Sequence, residues 1–432
     1  MSNVEDLAMH NLDRSEQKGK KDFARGQVDQ KIGSTSLGTR KESIKKRFDV
    51  LKKEGWGKVW GDRKLRHVAE SEEYYSSISD YGDNAKNAEV LEALTNYGVT
   101  RLRWLGNFPI KELGGKVDFR AISNSTRTFD DWRHRIDSVA TLEVSGRVRS
   151  KIGLKSNVVE FGIDATTWKR DNRLPSQEAE EEARLYFAEK ISRSNNEKDG
   201  FQQPAPFGFS QLDFYVHPRK DETGQYRKDR IKLIPRFVIG VNGEIADSIR
   251  QFDFQTDHNG FYQPKSDSVI LNDPRIITTQ FKIISEINKQ SEMLTSMLPN
   301  DYASNPEYET AKRKLDTIRY LTNGALRKSA VRVIEVMRNK KILPEEVETE
   351  LYGKNDTEKA AIISKMFRDS KRRDDGFYYD PTYDGILSAA ERFIECSRDE
   401  NSGSKLRGVQ IRNIAVIYEG GKIREIPQNV KL

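Results

Sequence analysis

The chain has 432 residues, 33% of them charged and 35% hydrophobic, and a formal net charge of +7. This length is sufficient for two or three domains with a large core, and the charged fraction indicates long solvated helices and a flexible tail. The single cysteine, Cys396, excludes an intrachain disulfide, and no apolar run is long enough to span a membrane. The N-terminus lacks the layout of a signal peptide, so we predict a cytoplasmic protein with no membrane partner.

The positive charge is concentrated near the N-terminus, where residues 14–66 carry 17 Lys and Arg against 7 Asp and Glu. Residues 11–45 are also poor in apolar side chains, so we predict that residues 1–45 form a disordered basic arm. Such an arm gains affinity for phosphate backbones by releasing counterions, which makes nucleic acid a candidate partner. A solubilising tail that binds nothing in particular explains the composition equally well.

A helix is predicted over 41–58, and two tryptophans at its end, Trp56 and Trp60, are interleaved with basic residues that include Lys64 and Arg66. Bases could stack on these rings while the two cations contact nucleic acid. The alternative is that the tryptophans pack the helix against its neighbour, which is the more common role of such rings.

The segment 129–167 contains two strand-like runs joined by a basic turn. In the second run apolar and polar side chains alternate strictly, and the polar positions are Glu160, Asp164 and Thr166. Because side chains of a strand point alternately to its two faces, one face is predicted to be core and the other a solvent-facing row of acid. The first run behaves in nearly the same way, with Asp137 on its polar side. Paired as a hairpin in the right register, the two runs bring Asp137 and Asp164 close together.

The elements that follow complete an α/β unit. A helix is predicted over 176–192, and a short edge strand over 212–216. The apolar, β-branched run 231–241 has the pattern of a strand buried on both faces. We therefore predict an α/β core over 46–270, with a helix that Gly98 closes shortly before the acidic hairpin.

From Pro274 the apolar spacing becomes helical, and the region 271–432 is predicted to be mainly helical. One long helix stops near Pro299, and a second begins at Asn305 and runs through Leu321. Further helices are predicted over 326–338, 344–352, 357–367 and 385–397. The chain ends in a predicted hairpin over 409–430.

Two carboxylates on neighbouring strands make a site for a hard cation such as Mg²⁺, whose shell is completed by water and phosphate oxygens. The order of an Asp before one strand, an acid in the next, a helix and a buried strand resembles the PD-(D/E)xK nuclease superfamily. The phrases that carry this resemblance are FDDWRHRIDSVATLEV, GIDATT and PRFVIGV. More narrowly, the phrases resemble a group of uncharacterised bacterial proteins that look like divergent members of the superfamily. The resemblance covers residues 120–255 and implies a restriction-endonuclease-like core sheet flanked by helices.

The resemblance implies hydrolysis of phosphodiesters in nucleic acid with Mg²⁺ or Mn²⁺ as cofactor. Carried over residue by residue, Asp137 is the first metal ligand and Asp164 the second, and Glu160 is a candidate third ligand. Thr166 stands where the family has its lysine, which positions the attacking water and stabilises developing negative charge. A threonine hydroxyl does the first weakly and the second hardly at all. The candidates for a lysine from elsewhere are Lys169, Lys190 and Lys232.

Arg133 and Arg135 are candidate contacts to the phosphate backbone beside this site, although a surface charge cluster explains them equally well. Asp130 and Asp131 precede the first strand and are interpreted as turn or N-cap residues. The five histidines are scattered without paired spacing, so no zinc site is predicted.

Two functions therefore remain open. In the first, the protein is a metal-dependent nuclease that acts on DNA or RNA. In the second, the same core is catalytically inactive and serves as a nucleic-acid-binding or protein-interaction scaffold. The missing lysine favours the second, and the retention of both carboxylates favours the first. The sequence predicts neither an oligomeric state nor a preference between DNA and RNA.

Overall fold

A computed structural model shows a mixed α/β fold. The structure describes residues 36–78, 83–106, 108–110, 115–117, 120–126, 130–131, 134–145, 149–150, 153–154, 157–168, 208–258, 261–298, 303, 305–369, 415–419 and 422–426. The predictions that lie outside these residues concern residues 1–35, the helices over 176–192 and 385–397, and the side chains Arg133, Lys169 and Lys190. None of the helices that the structure describes is long and apolar enough to cross a membrane.

Two helices, α1 (Ser36–Lys53) and α2 (Asp62–Ile78), begin the described part of the chain. Helix α1 starts inside the segment predicted to be disordered. The apolar stripe that includes Phe48 packs in a small core with α2, and this burial outweighs the polar composition. Trp56 is buried in the same core and meets the ring of Phe214 edge-on, with the ring centroids 4.8 Å apart. The prediction that the tryptophans pack against a neighbouring element is thus confirmed for Trp56.

Helix α3 (Asp83–Thr100) continues past Gly98, so the prediction that Gly98 closes the helix is wrong. A Cβ at this position would lie 2.3 Å from ring carbons of the buried Trp104. The glycine therefore allows the close approach of a tryptophan rather than a left-handed turn.

A five-stranded sheet forms the centre of the molecule. The small pair β1 (Phe108–Ile110) and β2 (Gly115–Val117) precedes its strands, which are β3 (Arg120–Ser125), β4 (Ser138–Glu143), β5 (Val158–Trp168), β6 (Phe209–Lys220) and β7 (Tyr226–Asn242). These strands lie in the order β3-β4-β5-β7-β6. Strands β3, β4 and β5 are antiparallel neighbours, and β7 runs parallel to β5. The predicted hairpin, the edge position of β6 and the interior position of β7 are confirmed. Strand β3 was not predicted.

Both faces of the sheet are buried. One face carries the apolar side chains of β4, β5 and β7 and packs against α3 and later helices. The other face carries Glu160, Asp164 and Thr166, which are exposed by only 6%, 3% and 3%. The strand periodicity was therefore predicted correctly, but the prediction that the acidic face meets solvent is wrong. Buried carboxylates need hydrogen bonds or cations to offset their loss of hydration.

Helices follow the sheet, interrupted by a small hairpin. They are α4 (Gly243–Asp253), the hairpin strands β8 (Phe254–Thr256) and β9 (Tyr262–Pro264), α5 (Asp267–Asn272), α6 (Pro274–Met297), α7 (Pro306–Asn339), α8 (Glu345–Leu351) and α9 (Asp356–Asp369). The predicted Asn305 cap is confirmed, because its side chain accepts a hydrogen bond from the N–H of Glu307. Helix α7 replaces the two helices predicted on either side of Gly324, since this glycine lies buried in a helix whose apolar residues pack on both sides of it. The terminal hairpin is confirmed as β10 (Ala415–Glu419) and β11 (Lys422–Ile426).

Helices α6 and α7 share the core of the sheet. Ile284 and Ile287 of α6 and Leu315 and Ile318 of α7 belong to the same apolar cluster as the strands. Residues on both sides of the boundary predicted at residue 270 therefore contribute to this cluster.

The side-chain amide of Gln290 forms hydrogen bonds with the part of β7 that extends beyond its pairing with β6. That pairing ends where Pro235 meets Phe209. At Val238, the backbone N–H donates to Oε1 of Gln290 at 3.0 Å, and Nε2 of Gln290 donates to the carbonyl oxygen of Val238 at 2.7 Å. Both backbone groups of this edge residue are thus satisfied by α6.

A pH-sensitive ion cluster joins the end of α4 to the start of α6. The Asp253 carboxylate is 5% exposed and lies 3.1 Å from the Arg275 guanidinium, which also pairs with Asp273. Burial and the charge of Asp273 raise the pKa of Asp253 to about 6, although Arg275 opposes the shift. Because this pKa lies above its unfolded value near 4, the folded state holds the extra proton between these values, and stability falls as the pH rises through them.

We expect Asp253→Asn to remove this pH dependence. Relative to the variant, the wild type should lose about 1–2 kcal/mol of unfolding free energy between pH 4 and pH 7, a value reduced for solvent screening of Arg275. Urea denaturation of both proteins across this range measures the difference. Parallel stability curves would contradict the assignment.

Candidate functional site

Asp137 immediately precedes β4, and Asp164 lies within β5, the strand that pairs with β4. In the β4–β5 register Ser138 faces Ile163, and the N–H of Asp137 donates to the carbonyl oxygen of Ile163 at 2.8 Å. Asp137 and Ser138 therefore both lie opposite Ile163, as in a β-bulge, and the register does not continue so as to set Asp137 against Asp164.

The two carboxylates have separate partners. Oδ2 of Asp137 accepts the backbone N–H of Ala165 at 2.7 Å, so this side chain extends the strand pairing. Oδ2 of Asp164 accepts a hydrogen bond from Nη1 of Arg236 at 2.9 Å, and the two side chains are 4% and 1% exposed. Arg236 comes from β7, where it lies opposite Gly162 in the parallel register. Asp164 is therefore one half of an ion pair inside the protein.

Glu160 has a cation of its own. Glu160 lies four residues before Asp164 in β5, so its side chain is on the same face of the strand. Nζ of Lys314 lies 2.7 Å from Oε2 of Glu160. Lys314 comes from α7 and was not among the predicted lysines. Of those, Lys232 lies on the surface and pairs with Glu307 at 3.4 Å.

The three carboxylates do not fit a Mg²⁺ ion in this arrangement. Mg²⁺ requires near-octahedral oxygen ligands and usually keeps several waters. Here Arg236 and Lys314 already supply positive charge to Asp164 and Glu160, and a divalent ion would have to displace a buried guanidinium. Among the residues that the structure describes, these carboxylates also do not form a set of three ligand atoms within 4.8 Å of one another.

The structure describes two of the remaining residues predicted at this site, Thr166 and Arg135. Thr166 is buried at the end of β5, opposite Gly240 of β7. Arg135 is half-buried and has a φ of +56°, in the left-handed region, and its N–H donates to the carbonyl oxygen of Asp131. Lys169 and Arg133 lie outside the described residues.

A second cluster, which the sequence analysis missed, consists of Asp130, His134 and Asp213. All three are buried, and Nε2 of His134 lies 3.7 Å from Oδ1 of Asp130 and 3.5 Å from Oδ2 of Asp213. The four-residue spacing of Asp130 and His134 puts both on one side of a helical turn, which is a signal that the sequence does contain. Asp213 comes from β6, and no local pattern connects it with the other two.

The carboxylates of this cluster contact backbone N–H groups of β6 and the side chains of Lys64 and Arg230. The two carboxylate oxygens of Asp130 accept the N–H groups of Asp213 and Phe214 at 2.9 and 3.0 Å. Nζ of Lys64 lies 3.0 Å from Asp213, and Nε of Arg230 lies 3.2 Å from it. Burial raises the pKa of Asp130 to about 7, although the nearby His134 opposes the shift. Burial would also raise the pKa of Asp213, but His134 and Lys64 lower it to about 2.

Asp130, His134 and Asp213 each offer one potential metal-ligand atom, and these three atoms lie within 4.8 Å of one another. The cluster could in principle hold a metal ion. Two observations favour a structural role instead. Lys64 and Arg230 already neutralise Asp213, and both oxygens of Asp130 are used by the backbone of β6. The indole N–H of Trp60 also donates to the carbonyl oxygen of Asp213 at 3.1 Å. These contacts attach the turn between α1 and α2 to β6. We call the residues that make them the helix–sheet clamp: Trp60, Lys64, Asp130, His134, Asp213 and Arg230.

Lys64 and Arg66, the two cations predicted to contact nucleic acid, differ in their exposure. Lys64 points inward and is only 14% exposed. Arg66 is exposed and lies 5.9 Å from the ring centroid of Phe48. Arg66 is therefore available to a partner at the surface, and Lys64 serves the clamp.

No protein-family model, no curated protein sequence and no solved structure matches this chain.

Proposed function

We propose that the protein is a catalytically inactive, nuclease-like module that binds nucleic acid. The observation that carries this proposal is the buried ion pair between Asp164 and Arg236. The carboxylate that the resemblance assigns to the metal is held by a guanidinium from the neighbouring strand, and removing this partner would leave an uncompensated charge inside the protein.

The arrangement of the strands supports the nuclease-like part of the proposal. Helix α3 is followed by the antiparallel strands β3, β4 and β5, and β7 then joins β5 in parallel. Asp137 immediately before β4 and Asp164 within β5 follow the order of the two carboxylates that the resemblance implies. A fold by itself does not imply an activity, so the proposal on catalysis depends on the site.

The chemistry of the site supports the absence of catalysis. Thr166 cannot replace the electrostatic stabilisation that a lysine provides. The face is also closed to water at Asp164, whose side chain is 4% exposed. A phosphodiester could reach this carboxylate only if the surrounding structure moved.

The distribution of charge supports binding of nucleic acid. Residues 36–66, which form α1, the following turn and the first turn of α2, contain 11 Lys and Arg against 4 Asp and Glu. Electrostatic, sequence-independent binding to nucleic acid has dissociation constants of about 10⁻⁴–10⁻⁶ M at physiological salt. We expect the full-length protein to bind both DNA and RNA in this range.

The test of catalysis compares the wild type with Asp137→Asn. Asparagine retains an oxygen acceptor for the N–H of Ala165, so the variant should fold. Purified proteins are incubated with plasmid DNA and with single-stranded RNA in Mg²⁺ or Mn²⁺. We expect the same background cutting from both, and no more than in EDTA. Metal-dependent cutting that is lost in Asp137→Asn would overturn the proposal, and failure of the wild type to bind either nucleic acid would overturn its second half.

One observation favours the second candidate function, metal-dependent phosphodiester hydrolysis. Lys314 brings an ammonium group to within 2.7 Å of Glu160, on the face that carries Asp164, and so offers a lysine from another element. If the protein does cut, Lys314→Met should abolish cutting. The matched control is Lys312→Met on the same helix, since Lys312 pairs with Asp316 at the surface and should leave cutting unchanged.

A further inference from the structure

We propose that a basic surface on the first two helices, α1 and α2, binds the phosphate backbone of nucleic acid. This basic surface consists of Lys45, Lys52, Lys53, Arg63 and Arg66 on α1 and α2, with Lys52 and Arg66 beside the ring of Phe48. The inference rests on the proposed nucleic-acid function and specifies where the binding takes place.

Phe48 lies at the centre of this surface. Nζ of Lys52 lies 5.0 Å from the ring centroid, and the guanidinium carbon of Arg66 lies 5.9 Å from it. Lys45 precedes Phe48 by three residues in α1, and Arg63 precedes Arg66 by three in α2, so each lies beside its neighbour on the same side of its helix. Cations from two helices therefore converge on one half-buried aromatic ring.

Most of these cations are available to a ligand. Lys45, Lys53, Arg63 and Arg66 are exposed, and they form no ion pair with any residue that the structure describes. Lys52 pairs with Asp62 at 2.8 Å, but both side chains are exposed, by 44% and 63%. Such a surface pair is weak and can exchange one anion for another. Arg47, by contrast, is directed to Glu73 on α2 and is excluded from the basic surface.

The surface is held in place before any ligand binds. The apolar side of α1 packs with α2, Trp56 and Phe214 of β6. The helix–sheet clamp adds the contacts of Lys64 and Trp60 to Asp213. Because the cations stand on fixed helices, binding loses less conformational entropy than binding by a disordered segment.

Nucleic acid fits this surface better than an anionic membrane does. A helix that lies on a membrane buries an apolar face between the lipid head groups. The apolar stripe of α1 is instead used inside the protein, where Leu51 and Trp56 are fully buried. What remains outside is mainly charge, which matches the regularly spaced phosphates of a nucleic-acid strand.

The salt dependence of binding gives a quantitative expectation. Each neutralised phosphate contributes about 0.7–0.9 to the slope of log K against log salt. Four available cations therefore predict a slope of about −3 to −4. The double variant Arg63→Glu/Arg66→Glu should weaken binding by about tenfold or more at low salt and reduce the magnitude of the slope by about 1.5.

The experiment measures fluorescence anisotropy of labelled single-stranded RNA and duplex DNA with the full-length protein over a salt series. The control, Lys328→Glu/Lys365→Glu, makes the same change in net charge at exposed positions of α7 and α9. We expect the control to bind within about twofold of the wild type. Circular dichroism and thermal melting confirm that both variants fold.

The outcomes separate the inference from the function on which it rests. If the wild type binds neither nucleic acid, the proposed function fails. If the wild type binds but Arg63→Glu/Arg66→Glu binds equally well, or if both double variants lose the same affinity, the basic surface is not the binding site. Tighter binding to anionic lipid vesicles than to nucleic acid would assign the surface to a membrane and overturn the inference.

Discussion

Replacement of Arg236 by methionine is expected to destabilise the protein by about 3–5 kcal/mol, because it leaves the Asp164 carboxylate buried without its cation. The pair lies inside the sheet with both side chains almost fully buried, so solvent cannot replace the guanidinium. Chemical denaturation monitored by circular dichroism gives the change in unfolding free energy.

Two further variants identify the cause of this loss. Asp164→Leu/Arg236→Met replaces the whole pair by apolar groups and should recover most of the stability, since no buried charge remains. Lys232→Met lies in the same strand but breaks only an exposed pair with Glu307, and it should change stability by less than about 0.5 kcal/mol. A double variant as unstable as Arg236→Met would show that shape, rather than charge, explains the effect.

Replacement of Asp213 by asparagine is expected to destabilise the protein by about 2–4 kcal/mol. Asp213 is fully buried at the centre of the helix–sheet clamp, where it faces Lys64 and Arg230. The estimate is lower than for Arg236, because the Arg230 side chain is 30% exposed and can turn to solvent. The loss should be concentrated in α1 and α2, whose attachment to β6 depends on the clamp.

Hydrogen exchange provides the regional measurement for Asp213→Asn. Amides of α1 and α2 should lose protection before those of β5 and β7, which belong to the main core. The matched control is Asp229→Asn in the neighbouring strand, where the acid pairs with Arg227 at the surface. We expect Asp229→Asn to change the free energy of unfolding by less than about 0.5 kcal/mol. Uniform loss of protection across the chain would contradict a local role for the clamp.

The strands of the central sheet could be predicted because their signals are local. The alternation of Glu160, Asp164 and Thr166 with apolar residues fixes the two faces of β5, and the continuous apolar run fixes β7 as an interior strand. The pairing of β4 with β5 follows from this pattern once the hairpin forms. The position of Asp137 does not follow from it, because the register is interrupted where Asp137 and Ser138 both face Ile163.

The chemical state of the acids could not be predicted in the same way. A polar strand face in contact with solvent and a polar face neutralised by buried cations have the same alternation. The difference depends on Arg236, which is 72 residues from Asp164, and on Lys314 in a helix much later in the chain. Neither residue has a local spacing that connects it with β5.

The helix boundaries show where packing overrides local preference. A glycine inside a helix costs about 1 kcal/mol relative to alanine, and Gly324 lies between the two helices that were predicted over this segment. Fourteen residues of α7 are buried, Gly324 among them, and their packing exceeds this penalty. In α1, likewise, a few apolar contacts are enough to order a segment whose composition resembles that of a disordered chain.

The amide of Gln290 has a consequence for how this protein meets other polypeptides. It offers Val238 the same donor and acceptor that a peptide unit from an additional strand would offer. For an extended segment from another molecule, these two backbone groups are therefore already hydrogen-bonded, and α6 occupies the position beside them. Growth of the sheet by strand addition, which is a common first step toward fibrils, is blocked at this end of β7.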